Sequence, residues 1–477
     1  TQTETYYART IFESPQDTSI EFGISFSSPI QVKINDKEHF VEQKKTNFYF
    51  KEIAYSMFLF QDTIKVDIKQ GQNSIVIGLS NYGRNYFYLR QITSPEEKPI
   101  IEFNNKWLLK SNDEWIEQKP VKYEKLVIGK ENTYQRESYI EWHYAIGGTM
   151  LGLHNLYKFT GDRKYYDCIK KFCDFTIANR NTFKSNYYNL HALRVANYRM
   201  FRKTMLDDTG APTLPLTKIY QEINYEDYLP IIKEMGAYVT KEQARLKDQT
   251  FCRPEPFANT VWADDLFMSV PFLLMLHKIT REDKYLNDAI TQIINFHSYL
   301  WNEDVQLNKH AWFYEGKQQS LVYWIRANGW MIWAISEALL IIPPDHPKYD
   351  RIKDIYKISV DGLVQYQAPN GLWHQVLDKT ESFQETSGSA MFTLAIARGV
   401  NNGWLEDEYS QYVSKAWEGL SANISVKGVV KDICRGTGIG FDYDFYFNRK
   451  RFDNDPRGLG AVLTALVEIQ KMMDSKY

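Results

Sequence analysis

Residues 261–267 read VWADDLF, so two adjacent carboxylates, Asp264 and Asp265, sit in an apolar run that continues MSVPFLLML. Burying an ionised carboxylate is costly unless it is paired, hydrogen-bonded or protonated. Burial also raises a carboxyl pKa, which is how a protein makes an acid that still holds its proton near neutrality. A second acidic pair, Asp207 and Asp208, stands in MLDDTGAP. Two carboxylates from different segments are the usual equipment for adding a proton to one atom of a substrate and water to another. Successive helical residues point about 100° apart, so one member of each pair faces a given ligand and the other is free to cap a helix or bind a cation. Helix geometry alone does not choose between Asp264 and Asp265. Either Asp207 or Asp208 can supply the second carboxylate.

The other chemically able residues recur in similar short motifs: Trp142, His143 and Tyr144 in EWHYAIGG, Arg253 and Trp262 around FCRPEPFANTVW, His310 and Trp312 in KHAWF, Trp324, Arg326 and Trp330 in YWIRANGW, and Trp373, His374 and Glu385 in GLWHQVLDKTESFQETSGS. A guanidinium donates in a planar fork that suits carboxylates and vicinal hydroxyls. Flat aromatic faces suit sugar rings, and Trp262 and Trp330 are chosen for that role; most of the remaining rings belong to the core. RGTGIGFDYD (435–444) lacks the strand-then-helix context of a phosphate loop and reads as a tight turn near the site.

What could bring these motifs together is a repeat. From about residue 137 the apolar period becomes helical. Five segments open a helix on an acidic or Pro residue followed by a tyrosine: Tyr165, Tyr228, Tyr285, Tyr349 and Tyr409, about 60 residues apart. Each amphipathic helix follows a more apolar one, rich in small residues, that begins near Gly147, Asp208, Asp264, Arg326 or Gly388, with a last one near Gly458. Amphipathic helices belong outside and helices apolar all round belong inside. About six such hairpins closed in a ring would collect every inner-helix start around one mouth, which is where the polar and aromatic motifs lie. The expected fold is therefore mainly α, an (α/α)6 barrel over 137–477. Before it, residues 1–105 read as short alternating strands with turns at Asn35-Asp36 and Gln70-Gly71, a β-sandwich of jelly-roll type, and 106–136 as linker and collar.

Bulk properties narrow the function. The net charge of −2 gives no general pull toward nucleic acid or anionic membrane. No apolar run is long enough to span a bilayer. The 4 cysteines, Cys168, Cys173, Cys252 and Cys434, fit no zinc spacing and read as packing residues. No metal cluster, nucleophile motif or cofactor signature occurs, so no cofactor is expected. The chain opens on Thr1 rather than Met, so export to the periplasm or medium is expected, with the cytoplasm as alternative.

The ordered set WHYAIGG, LDDTGA, TVWADDLFMSVPFL, KHAW, WIRANGW and ETSGSAMF resembles the unsaturated rhamnogalacturonyl and glucuronyl hydrolases, glycoside hydrolase families 105 and 88, over roughly residue 137 to the end. That resemblance implies an (α/α)6 barrel acting on oligosaccharides left by polysaccharide lyases, whose terminal uronic acid carries a C4=C5 vinyl ether. It places the catalytic acid/base at Asp264 and the second carboxylate at Asp208, by D-x-G spacing, or Asp207. Tyr144, Arg253, His310, Arg326 and Trp330 fall at substrate contacts. Arg253-Pro254 departs from the His-Lys pair of well-known members, which bears on the leaving sugar. A monomer or weak homodimer is expected, with the unsaturated oligosaccharide as its partner. Two rival readings are an ordinary inverting glycosidase on the same toroid and a carbohydrate-binding protein without turnover.

Overall fold

The computed structural model describes residues 5–26, 28–42, 62–80, 87–91, 101–103, 107–111, 114–117, 140–189, 197–254 and 256–475. It divides into two compact units, residues 1–125 with 185–193, and residues 126–184 with 194–477.

In the first unit, apolar residues alternate along the strands and one face is buried. In β5 (Asp62–Ile68) the buried residues are Ile64, Val66 and Ile68; in β3 (Ile30–Ile34) they are Ile30, Val32 and Ile34. β1 (Thr5–Ser14) pairs with β6 (Gly71–Ser80), β6 with β3, and β3 with β4 (Lys37–Glu42), all antiparallel. A separate sheet sets β2 (Thr18–Phe26) between β5 and β7 (Phe87–Gln91). The two sheets share one apolar core that includes Phe12, Phe22, Ile24, Val32, Val66 and Ile77. Each such fully buried side chain contributes about 1.5–3 kcal/mol. The turn read at Asn35-Asp36 joins β3 to β4 with both residues at positive φ, 50° and 62°, the geometry that matches strand twist in a two-residue hairpin. The larger sheet runs on through Leu108–Ser111 and Glu114–Glu117, where the sequence reads a linker. Strands of 4 residues are too short for their alternation to stand out. Trp107 packs against the core, and the rest of the 106–136 segment lies outside the described residues.

In the second unit, six long helices form the inner set: α1 (Tyr144–Thr160), α3 (Gly210–Ile223), α5 (Asp265–Thr280), α7 (Ile325–Leu339), α9 (Thr386–Asn401) and α12 (Pro456–Asp474). Each packs on the next, and α12 returns to pack on α1. The amphipathic helices α2 (Arg163–Asn189), α4 (Leu229–Lys241), α6 (Asp283–Leu300), α8 (Tyr349–Val364) and α10 (Ser410–Ala422) alternate with them, and α4, α6, α8 and α10 each pack on the inner helix before them. α5 is buried continuously from Asp265 to Leu276, as an inner helix must be. α6 buries one stripe, including Leu286, Ile290, Ile293 and Phe296.

Small residues permit the inner helices to approach. A Cβ on Gly460 would stand 2.0 Å from the Gly148 carbonyl oxygen, where α12 meets α1, and one on Gly210 would stand 1.8 Å from the Met268 carbonyl oxygen. The repeated tyrosines tie the outer layer: the Tyr228 hydroxyl donates to Asp174 on α2 at 2.6 Å, and that of Tyr409 donates to Asp361 on α8. Pro271 neither breaks α5 nor delays its start, although it removes one helical N–H. Packing on α3, α6 and α7 holds the helix through that gap. Among the described residues, no helix is long and apolar enough to cross a membrane.

Candidate active site

The N-terminal ends of the inner helices are stitched together by polar side chains. At the start of α1, the Trp142 indole N–H donates to the Asp208 carbonyl at 2.7 Å, just before α3. The Arg457 Nε at the start of α12 donates to the Tyr144 hydroxyl at 3.1 Å. Before α9, Glu385 accepts the N–H groups of Ser387, Gly388 and Cys434 at 3.0, 2.7 and 2.9 Å, capping the helix and anchoring the segment at Cys434.

Asp264 is set by a short ladder. Val261–Trp262 pairs antiparallel with Ala311–Phe313, and the Ala263 N–H donates to the His310 carbonyl at 3.0 Å. That register brings the His310 Nε2 to 3.3 Å from the Asp264 Oδ2. Neither atom has a hydrogen-bond partner among the described residues. The separation is long for a charge-assisted bond, as catalytic contacts often are before substrate arrives. The other ring nitrogen of His310 lies 2.8 Å from the Tyr446 hydroxyl. Trp262 meets the imidazole edge-on at 5.5 Å and Trp324 lies 4.6 Å from it. Asp264 stands at the N-cap of α5, but its side chain caps nothing.

Asp265 turns the other way. Its two oxygens accept from Arg253 Nε at 2.8 Å and Nη2 at 2.6 Å, and the same Nη2 reaches Asp207 at 2.8 Å. The guanidinium also lies 4.2 Å over the Trp262 ring. One buried cation thus holds two carboxylates, with Asp264 close enough to feel it. Burial alone would raise the Asp264 carboxyl, but the His310 contact and the Arg253 and Arg326 charges outweigh it and bring it below its ordinary value. Burial pushes Asp265 up to about 6 against the pull of Arg253, with repulsion from Asp207 and Asp264 added.

Exposure sorts the remaining residues chosen from the sequence. Asp264 and Asp207 keep 14% and 17% of their side chains open, and Tyr144 is half-buried. Asp208, favoured by its D-x-G spacing, is fully enclosed: Arg202 grips its two oxygens at 2.6 and 2.7 Å, and Arg199 lies 3.7 Å away. His310 is fully buried behind Asp264. Arg253 is buried against protein partners, as above, rather than presenting its fork to a ligand. Arg326 donates to the Cys434 and Arg435 carbonyls, the latter at 2.6 Å, and so holds the 434–435 segment over the start of α7. Trp262 is buried between Arg253 and His310, and Trp330 is buried edge-on to Tyr144 and stacked 5.8 Å from Trp333. His143 caps α1 by accepting the Ala145 N–H, and burial, with Arg199, Arg457 and Arg202 nearby, drives its pKa well down.

Sequence reasoning missed Tyr446 and Arg202. Tyr446 is one ring in the aromatic run FDYDFYF; the usable signal is Asp442, whose side chain accepts the Phe445 N–H at 2.7 Å and starts helix α11 (Tyr443–Phe447). Arg202 precedes Asp208 by too little, on a separate short helix, Arg199–Arg202, for periodicity to pair them.

Comparison with known proteins gives the family and the fold. The model of Glycosyl Hydrolase Family 88 matches residues 116–473. An unsaturated rhamnogalacturonyl hydrolase, YesR of Bacillus subtilis strain 168, is 28% identical over 256 residues, 52% of this chain and 73% of that one. An unsaturated 3S-rhamnoglycuronyl hydrolase of Alteromonas sp. strain LOR is 31% identical over 215 residues, 44% of this chain, and the match spans 50% of that protein. Among solved structures, a possible member of the GH105 family from Salmonella enterica superposes with a TM-score of 0.63 at 23% identity, covering 72% of this chain and 85% of that one. The unsaturated glucuronyl hydrolase of Bacillus sp. GL1 does so at 0.53 and 14% identity, covering 72% and 89%. These likenesses carry the helical fold, and the match over residues 116–473 carries the family: the chain belongs to glycosyl hydrolase family 88.

Proposed function

We propose that this protein is a glycosidase that removes a terminal 4,5-unsaturated uronic acid from lyase-generated oligosaccharides. Its helical unit is read as an (α/α)6 barrel, preceded in the chain by an accessory β-sandwich without a catalytic part. The observation that carries the reading is the pair of partly open carboxylates, Asp264 and Asp207, both acted on by the charge of the buried Arg253.

The chemistry follows from the vinyl ether. Asp264 delivers a proton to C4, and the electron pair of the C4=C5 bond forms the new C–H bond. Positive charge then develops at C5, shared with the ring oxygen. Water adds at C5 and gives its proton to a carboxylate, for which Asp207 is the open candidate. The C5 hemiketal opens the ring, C1 becomes a hemiacetal, and that hemiacetal expels the leaving alcohol. The resting Asp264 carboxyl lies below its ordinary value, whereas the first step needs it protonated. A bound uronate adds negative charge and excludes water, and both changes raise it.

Incubation with lyase digests is expected to bleach the double-bond ultraviolet absorbance and release a keto-uronate, with saturated glycosides left intact. Unsaturated digests of pectin, ulvan and arabinogalactan that all keep their absorbance would sink the reading. Hydrolysis of saturated glycosides would favour an inverting glycosidase instead.

The acidic pair separates by experiment. Asp207→Asn should lower kcat by about 100-fold with little change in Tm. Asp208→Asn should instead cost about 2–3 kcal/mol of stability, because Arg202 loses its fork partner in an enclosed site. Thermal unfolding beside steady-state kinetics reads both, and a large kcat loss in a fully stable Asp208→Asn protein would return the second carboxylate to Asp208.

A further inference from the structure

Tyr446 lies outside the acid/base pair, yet among the described residues its hydroxyl is the one polar partner of the inner ring nitrogen of His310. The side chain is fully buried. Its hydroxyl oxygen accepts the Gly440 N–H at 3.1 Å and lies 2.8 Å from His310 Nδ1. Burial raises the Tyr446 pKa, so the phenol keeps its proton.

We infer that Tyr446 is a positioning residue that fixes the tautomer of His310, and through it the orientation and charge of Asp264. Two independent ends of the imidazole argue for the same proton placement. At the inner end, the Tyr446 oxygen already receives one N–H. If His310 Nδ1 carried a proton, that oxygen would receive two, and its own hydrogen would be left without an acceptor in a buried site, a costly arrangement. With Tyr446 donating to Nδ1, every group there is satisfied. At the outer end, His310 Nε2 faces the Asp264 Oδ2 at 3.3 Å, and neither has a hydrogen-bond partner among the described residues. A bare Nε2 lone pair against a carboxylate oxygen would repel, whereas an Nε2–H turns its positive end to it and needs only a small shift to donate.

The chain Gly440 N–H, Tyr446 O–H, His310 Nε2–H, Asp264 is therefore directional. It ends on the carboxyl group rather than on the substrate. His310, enclosed by Trp262 and Trp324, then serves as the fixed donor that steers Asp264, not as a substrate contact. The segment between Gly440 and Tyr446 becomes part of the site's precision, since both ends of that turn meet at one hydroxyl.

The catalytic part of this inference rests on the reading of Asp264 above, whereas the tautomer part does not. The test is nitrogen-15 NMR of histidine-labelled protein, with the His310 signals assigned by their loss in His310→Gln, at a pH where the ring is neutral. The wild-type protein should show His310 protonated at Nε2 and bare at Nδ1. Tyr446→Phe should populate the Nδ1–H form and lower kcat about 10–100-fold while KM stays within about twofold. A wild-type ring protonated at Nδ1 would overturn the inference, whether or not the variant folds. So would a folded Tyr446→Phe protein with unchanged tautomer and unchanged kcat. Should Asp264→Asn stay active while the wild-type tautomer is as stated, the catalytic reading fails and the hydrogen-bond chain stands.

Discussion

Asp264→Asn is expected to lower kcat at least about a thousandfold while leaving the fold and its Tm nearly intact. The loss follows from the chemistry, since an amide cannot give C4 a proton at any accessible pH. Survival of the fold follows from the contacts. The Asp264 side chain caps nothing, and among the described residues its one close polar neighbour is His310 at 3.3 Å. An Asn carbonyl oxygen accepts the same N–H, so no buried group is orphaned. The matching change one residue on behaves in reverse: Asp265→Asn replaces one oxygen of the Arg253 fork, so it should lower Tm first and activity through it. A pH profile sharpens the contrast. Free Asp264 lies below its ordinary carboxyl value, and kcat/KM reports the free enzyme. It should therefore fall with rising pH across the neutral range. kcat reports the bound state, where the uronate raises the same carboxyl, so it should hold to higher pH. An Asp264→Asn protein within tenfold of wild type, or coincident pH limbs for kcat and kcat/KM, would remove Asp264 from its role.

The parts of this site that were legible in the sequence were those written in local spacing. The helical repeat put the inner starts near Gly147, Asp208, Asp264, Arg326, Gly388 and Gly458; the helices begin at Tyr144, Gly210, Asp265, Ile325, Thr386 and Pro456. The split between Asp264 and Asp265 was legible for the same reason, since adjacent residues at a helix start must diverge. What stayed hidden was the partner of each charge. Arg253 and Arg326 look alike in sequence, as cations among tryptophans, and both look free. One is closed by carboxylates that arrive from two other segments, and the other by the backbone carbonyls of Cys434 and Arg435. Asp207 and Asp208 differ only in which side Arg202 and Arg253 approach from. Such pairings join residues far apart in the chain or on separate short elements, and no periodicity encodes them. Charge that is already neutralised within the protein reads, in one dimension, like charge awaiting a ligand.

Arg253→Met is expected to be the most destabilising change at the site, by about 3–5 kcal/mol, and more so at alkaline than at acidic pH. The side-chain volume is nearly kept, so a cavity is not the cause. The cause is two carboxylates left without their cation, Asp265 at 1% exposure and Asp207 at 17%. The sign of the pH effect follows from the wild-type protein. Asp265 is raised to about 6 from an ordinary 3.8. A folded-state pKa above the unfolded one means that this group favours the fold fully below the ordinary value and loses that contribution as pH rises through about 6. Removing Arg253 takes away the pull that held Asp265 down, so its folded pKa climbs further. The variant then recovers stability on acidification, as Asp265 takes up a proton and its repulsion with Asp207 ends. Denaturant unfolding at several pH values measures this directly. Adding Asp265→Asn to Arg253→Met should restore part of the loss at alkaline pH, because one uncompensated charge is gone, and the two changes should be strongly non-additive. Arg253→Lys should fall between, since an ammonium restores charge but cannot fork to two oxygens and bridge to Asp207. A deficit that is the same at every pH, or additive with Asp265→Asn, would mean that Arg253 matters through packing on Trp262 and not as the shared counter-ion of the site.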